Sequence, residues 1–429
     1  MIAELSVMFG TMLAVLAMGA PVFLAMAAAT AAYTIAFWPK VPALVIGQGF
    51  VQGLDSYSYA AILFFFLAGE IMNTGGISDR LLRLAQACVG HVRGGLSHIN
   101  VLVSMVFAGV SGSAVADAAG IGSILIPAMK RAGYSGAYAA AVTAASATIG
   151  PVIPPSIPLV VYGLFAMTSV GKLFVAGVVP GLLMGVFLLV VSFWISHRRG
   201  YPARPWGGWR ELAAATGSAL TALLMPVIVV VGLVGGVATV TEVGALACLY
   251  AVLVSTLVYR ELTVAGLWSA VRRAAVNACA VLVVISVAGL FVWIVGNMGV
   301  ARALAAGIGD LSADPVVVLA LFSVVLLVAG LVLEPVTILV VLVPLMVPAV
   351  AAAGIDLVQF GVIAVLATLI GLITPPVGFL IFLTAVQAGA SALSVVRELA
   401  PFLLALVLLL AALVVFPPLT LWLPSQFWP

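Results

Sequence analysis

Ser111-Gly112-Ser113 and the run Gly150-Pro151-Val152-Ile153-Pro154-Pro155-Ser156 place chain-breakers and oxygen donors inside sequence that is otherwise apolar. In hydrocarbon every backbone N–H and C=O must be satisfied, so a broken helix belongs where it is buried in protein or lines a polar cavity. Pro154 and Pro155 have no N–H and cannot close helical bonds to the preceding turn, which frees carbonyls near Gly150 and Val152 to face a hard cation. Ser111-Gly112-Ser113 can end one half-helix and begin another, aiming N–H groups and the positive end of a helix dipole at an anion. Paired interruptions of this kind are a pointer to an ion-coupled transport site. A single one is an ordinary kink, since Gly and Pro are common in membrane helices.

A second copy strengthens the first. Adding 221 to the numbering carries Gly109 to Gly330, Pro127 to Pro348, Gly133 to Gly354, Gly150 to Gly371 and Pro154-Pro155 to Pro375-Pro376 without a gap. Identity over the aligned stretch is only about one in five, yet the breakers coincide. The second tip reads Leu333-Glu334-Pro335, and the second break runs from Gly371 through Thr374 to Gly378. Hydroxyls able to ligate a cation gather at both places: Ser111, Ser113, Ser146, Thr148 and Ser156 at the first, Thr337, Thr368 and Thr374 at the second. For Ser146, Thr148 and Thr368 the plainer expectation is a bond back to their own helix. Carboxylates at membrane depth are costly and are functional candidates by default, and Glu70, Asp117, Glu242 and Glu334 qualify. Asp117 and Glu334 follow the tips, where each either helps hold a cation or caps the second half-helix. Glu70 and Glu242 lie outside the hairpins and read as structural or interface residues.

The elements that must position these groups are membrane helices. Of the 429 residues 65% are hydrophobic and 7% charged, and the mean hydropathy is +1.36, which implies an all-α polytopic membrane protein. The basic residues are scattered over short loops, which excludes a nucleic-acid surface. Cys88, Cys248 and Cys279 are isolated, with no metal-ligand spacing to His91, His98 or His197, and read as packing residues. The first segment has no basic n-region and runs straight into a second apolar one, so it reads as an uncleaved helix.

Apolar runs predict helices over 5–20, 21–38 and 59–73, with a polar loop between the last two. Residues 77–93 carry an amphipathic surface helix. Residues 94–131 form a re-entrant hairpin, 134–171 a broken helix, and 172–197 a plain span. Residues 201–212 link this first repeat, 1–200, to a second over 213–429. The second holds spans at 213–235 and 240–259, an amphipathic stretch at 261–275, and a span at 276–297. A surface segment around Arg302, a hairpin at 314–353, a broken helix at 356–388 and a last span at 399–423 complete it. Five crossings per repeat, hairpins uncounted, make the repeats inverted. If the first hairpin enters from the cytoplasm, 13 of the 16 Lys and Arg fall inside and only Lys40, Lys172 and Arg302 outside, with both termini periplasmic.

The segments GGISDRLLRLAQACVGHVRGGLSHINV, GVSGSAVADAAGIGSILIPAM, AAAVTAASATIGPVIPPSIPLVVYG, TEVGA and GLITPPVG together resemble the large membrane subunit of the tripartite ATP-independent periplasmic (TRAP) transporters, the DctM or SiaM type, in the ion-transporter superfamily. The resemblance implies an elevator-type, sodium-driven permease of the bacterial inner membrane without an organic cofactor or enzymatic activity. It also implies a separate four-helix, DctQ-like membrane subunit and a separate soluble, DctP-like periplasmic binding protein. The cargo would be an organic acid: a C4-dicarboxylate, 2-oxo acid, sugar acid or sialic acid. By matching motif position, sodium falls to Ser111, Gly112, Ser113, Gly150 and Val152, and again to Glu334, Pro335, Gly371 and Thr374. Substrate falls to Ser113, Asp117, Pro154, Pro155, Ser156, Thr337, Pro375 and Pro376. No Arg or Lys lies in the site segments around the two tips and breaks, so an anionic cargo is held by helix N-termini, hydroxyls and the bound sodium. Two departures bear on the cargo: Glu334 stands where the family usually has Asp, and Phe379-Leu380 where it often has Asn. The alternatives are a stand-alone sodium/carboxylate symporter, a channel, and a rhomboid-like serine protease built on Gly109-Val110-Ser111-Gly112, which would need a His base near Ser111.

Overall fold

A computed structural model describes residues 2–38, 43–312 and 314–428. Among them regular structure is helical throughout. In chain order the helices are α1 (Ile2–Ala17), α2 (Val22–Phe37), α3 (Ala43–Gln52), α4 (Ala60–Thr74), α5 (Ile77–Val89), α6 (Gly95–Ser111), α7 (Ala114–Arg131), α8 (Gly136–Ala147), α9 (Ile157–Phe165) and α10 (Val170–Arg199). After the linker come α11 (Gly208–Val234), α12 (Val240–Leu253, continued by a π-turn over Val254–Val258), α13 (Val264–Asn297), α14 (Val300–Leu311), α15 (Pro315–Gly330), α16 (Pro335–Ala352), α17 (Leu357–Leu372), α18 (Phe379–Ala388), α19 (Ala392–Val415) and α20 (Pro418–Ser425).

Helix pairs lie where the hairpins and broken helices are expected: α6–α7 and α15–α16, and α8–α9 and α17–α18. α7 and α16 start 221 residues apart and each runs for 18 residues. α8 and α17 also start 221 residues apart, capped by Ser135 and Asp356. Among the described residues six helices are each long and apolar enough to cross a membrane: α10, α11, α12 with its π-turn, α13, α16 and α19. α4 and α5, bent by 71°, make a seventh if taken as one span. The sequence count of ten crossings needs shorter helices such as α1, α2 and α17 as well. On α11, Leu220, Leu224, Val227 and Val231 lie on one exposed stripe, as lipid contact requires.

Four expectations are corrected. The polar loop after α2 contains α3; Pro39 and Lys40 lie outside the described residues. The surface stretch 261–275 and the span 276–297 are one helix, α13, of 34 residues. No Gly or Pro interrupts it between Gly266 and Gly289, and its Ala-rich middle favours continuation. At 1.5 Å per residue it is about 50 Å long, well beyond a hydrocarbon core of about 30 Å. The last span is divided: Pro417 and Pro418 remove two donors after α19, and α20 starts afresh. Cys279 is exposed, so only Cys248, which is buried, and Cys88, which is partly buried, serve as packing residues.

α4 lies between α12 and α13, with α2 and α3 also on α13 and α5 on α11; this set is joined to the hairpins through α5 on α6 and α13 and α14 on α16. The rest interleaves the two halves of the chain: α8 packs on α7, α18 and α19, α9 packs on α16, and α15 on α17. At its centre every residue of α8 from Tyr138 to Ala147, and every residue of α17 from Val358 to Leu372, is buried. The run of Ala in α8 lets neighbouring backbones approach closely, the usual device for helix packing in lipid.

The linker is not a loose tether. Its Pro202 carbonyl accepts from Gly94 N–H at 3.2 Å, and Arg204 N–H donates to Gly90 O at 3.0 Å, at the base of the first hairpin. Tyr201 stacks on Tyr134 with ring centroids 4.1 Å apart. The Arg199 guanidinium grips both carboxylate oxygens of Glu398, at 3.0 and 2.9 Å, tying α10 to α19.

Candidate cation and substrate site

The first tip and the first break meet. Gly112 ends α6 at φ +60°, and a Cβ there would stand 2.9 Å from the Pro155 carbonyl oxygen, so the left-handed turn and the close approach both require glycine. Ser113 caps α7, its Oγ accepting from Ala116 N–H at 3.4 Å, while its own N–H is shared with Ser111 Oγ at 3.3 Å. Beyond the break Ser156 caps α9 by accepting from Leu159 N–H at 3.2 Å. Its hydroxyl also donates to the Pro151 carbonyl, which has lost its helical donor at Pro155. Gly150 O has lost its donor at Pro154 in the same way, whereas the Val152 carbonyl is packed against Gly177 of α10.

Asp117 is the decisive side chain at this place. It is wholly buried, and neither carboxylate oxygen has a hydrogen-bond partner among the described residues. A Cβ added to Gly150 would collide with its Oδ2. A buried carboxyl between tip and break, with the Ser111 hydroxyl beside it, is stable there only if it is protonated or its charge is compensated by a cation. Ser146, Thr148 and Thr368 bond to carbonyls of their own helices at 3.2, 2.7 and 2.8 Å, as the plainer reading expects. Ser146 also donates to Asn100 Oδ1 at 2.9 Å, which ties α8 to α6.

The second tip and break meet differently. Gly330 and Gly371 pack backbone to backbone: a Cβ on Gly371 would lie 2.6 Å from Gly330 Cα and 2.5 Å from Leu327 O. Thr374 Oγ1 donates to Ile370 O at 2.6 Å. Thr337 is buried, Pro375 half-buried and Pro376 exposed. Glu334 occupies the N-cap position of α16 ahead of Pro335, without a side-chain capping bond. It is exposed, and lines two adjoining cavities. Both breaks carry a cis Pro-Pro bond, at Pro154-Pro155 and Pro375-Pro376.

A small cavity of about 40 Å³ joins the tips, touching Gly112, Ser113, Pro151, Glu334 and Pro335. A larger one beside it, about 340 Å³, is lined by Ser111, Ser113 and Phe107 of the first hairpin, Glu334 of the second, Phe66, Glu70 and Asn73 of α4, and Asn277 of α13. This volume is within the range of small-molecule sites. Of the eight residues read as substrate ligands from the sequence, Ser113 lines it; Asp117 faces Gly150, and Pro154, Pro155, Ser156 and Thr337 are buried away from it. Asn73, Phe107 and Gly120 continue into a third cavity of about 230 Å³ along α7.

Glu70, Asn73 and Asn277 escaped the sequence reading of the site. Glu70 and Asn73 stand on one face of α4 at a spacing of three, and Asn277 interrupts an apolar run, which is the signal that could have found them. Glu70 Oε2 accepts from Arg273 Nε at 2.7 Å. Glu242 forms a capping box with Thr239, in keeping with a structural role. Ser111 Oγ donates to Ser113 O at 3.3 Å rather than to a His.

A family model described as the DctM component of the tripartite ATP-independent periplasmic transporters matches residues 9–419. The chain belongs to this family. Over 380 residues it is 37% identical to the sialic acid TRAP transporter large permease protein SiaM of Vibrio cholerae, the alignment covering 89% of each chain. Over 371 residues it is 36% identical to the C4-dicarboxylate TRAP transporter large permease protein DctM of Pseudomonas aeruginosa, covering 86% of this chain and 87% of that one. Among solved structures the YdaH transporter of Alcanivorax borkumensis aligns with a TM-score of 0.62 over 90% of this chain and 89% of its own, at 17% identity, which shows a shared fold. The DctM relatives are transport permeases and not enzymes, which removes the protease reading.

Proposed function

We propose that this DctM-family chain is the large permease subunit of a sodium-coupled importer of an organic acid in the bacterial inner membrane. A soluble periplasmic protein delivers the cargo, and a separate small four-helix subunit completes the membrane part. The observation that carries the reading is Asp117: a buried, unpartnered carboxylate between the Ser111–Ser113 tip and the Gly150 break, beside a cavity of substrate size. A sodium ion there finds the Asp117 carboxylate, the Ser111 hydroxyl and the free Gly150 carbonyl, all hard oxygen donors. A second ion finds backbone oxygens around Glu334-Pro335 and Gly371–Thr374. The cargo occupies the larger cavity, next to the N-terminus of α7.

The repeats 1–200 and 213–429 are inverted relative to each other, with both termini periplasmic. The interleaved group of hairpins and broken helices moves as an elevator against α4, α12 and α13. Support comes from the cavity, which lies between the hairpins on one side and α4 and α13 on the other. Uptake of labelled organic acids into proteoliposomes holding this chain and its small subunit tests the reading. Uptake is expected only with a sodium gradient and the binding protein. Undiminished uptake in potassium would refute sodium coupling, and uptake without the binding protein would move the chain to the stand-alone symporters.

A further inference from the structure

A further cavity, of about 320 Å³, lies away from both tips, where α5, the base of the first hairpin and the linker meet. Gln86 and Gly90 at the end of α5, Leu96 at the start of α6, Tyr134 before α8, and Pro202 and Arg204 of the linker line it. We propose that this cavity binds a phosphate group on the cytoplasmic side, and that the occupant brakes the first hairpin. The site stands on its own geometry; the brake rests on the transport reading above.

Three kinds of donor converge there. α6 is a helix of 17 residues whose N-cap is Gly94, at φ +77°, so no side chain caps it. The Gly95 and Leu96 N–H groups precede the first intrahelical bond and stay free at the positive end of the helix dipole. A Cβ on Gly95 would stand 2.4 Å from Gly90 O, so the close approach of α6 to the end of α5 requires glycine. Tyr134 is 4% exposed. Its hydroxyl faces the Leu96 N–H without closing a hydrogen bond to it, and it has no other partner among the described residues. A buried hydroxyl left open in this way is costly until a ligand or water takes its proton. Arg204 gives one nitrogen to Glu211, at 3.2 Å, and its guanidinium has further N–H groups to offer. Among the described residues no carboxylate lines the cavity.

Backbone amides, a phenol and a guanidinium on separate walls match the several oxygens of a tetrahedral anion better than a planar carboxylate. The volume leaves room for the remainder of a phosphate ester. Free phosphate and a lipid headgroup share this chemistry. The occupant would tie α5, α6, the turn before α8 and the linker together. α5 packs on α11, which packs on α12, so the first hairpin would be held to the side it must move against.

Calorimetric titration of inorganic phosphate into the purified full chain in phosphatidylcholine nanodiscs, with chloride holding the ionic strength, tests the site. Saturable binding is expected. Tyr134→Phe, which keeps the ring stacked on Tyr201, and Arg204→Gln should each weaken it by about tenfold, while Arg204→Lys retains most of it. Phosphatidate added to the nanodisc abolishes the titration if the headgroup is the occupant, and leaves it if the occupant is free in solution. No saturable binding, or binding that both substitutions leave unchanged, would overturn the site. For the brake, proteoliposomes hold this chain and its small subunit, with binding protein outside to select chains whose cytoplasmic face meets the lumen. Phosphate sealed inside should slow sodium-driven uptake by about fivefold or more, and should not slow it in Tyr134→Phe. Binding without slowing would overturn the brake. Absence of uptake in phosphate-free vesicles, with the titration intact, would instead overturn the transport reading.

Discussion

Asp117 and Gly150 are fitted to each other: the carboxylate lies where any side chain at 150 would have to go. That explains a glycine at the end of α8 better than flexibility does, because Gly150 has no positive φ to accommodate. If the pair holds a cation, Asp117→Asn keeps the shape and removes the charge. The expected result is a sodium requirement for uptake raised at least about tenfold, on the order of 1.4 kcal/mol, with unchanged membrane insertion; an unaltered sodium dependence would free Asp117 of this role. At this scale the sequence was informative where chemistry is local. Pro154, Pro155 and Gly112 announce their backbone consequences by residue type alone. Glu70, Asn73 and Asn277 announce nothing about a shared cavity, because α4 and α13 are brought together only by tertiary packing some 200 residues apart in the chain.

Among the elements, the hairpins and broken helices were legible to within a few residues, since Gly and Pro punctuate them whatever surrounds them. α13 was not: an amphipathic stretch followed by an apolar one reads as two segments when nothing in composition says that the helix continues. α3, ALVIGQGFVQ, is largely apolar but only ten residues long and interrupted by Gly47 and Gly49, so no periodic run marked it. The two breaks also prove unequal. Gly150 faces a carboxylate, while Gly371 faces the backbone of Gly330, so the second break is a packing joint as well as a candidate ion site. Gly371→Ala forces α15 and α17 apart and should destabilise the folded protein by about 1–3 kcal/mol, seen as a lowered unfolding midpoint in nanodiscs; an unchanged midpoint would mean that the joint yields without cost.

For the molecule as a whole, the proposed orientation rests on thirteen charges expected inside against three outside. It is tested by single cysteines in a variant whose own three are replaced by Ser. Met167→Cys lies in the exposed turn between α9 and α10, and Arg204→Cys in the linker. A membrane-impermeant maleimide added to spheroplasts should label the first and spare the second; the reverse pattern would invert the assignment. The interleaving of the two repeats has a further consequence, for biogenesis. α8 is made early, but α18 and α19, which cover it, follow more than 200 residues later. At roughly 5–20 residues per second, the Ala-rich helix and the bare Asp117 wait on the order of ten to fifty seconds for their neighbours. During that interval the first repeat depends on the insertion machinery or on lipid to shelter it, so the nascent chain is most vulnerable to membrane proteases before its second half exists.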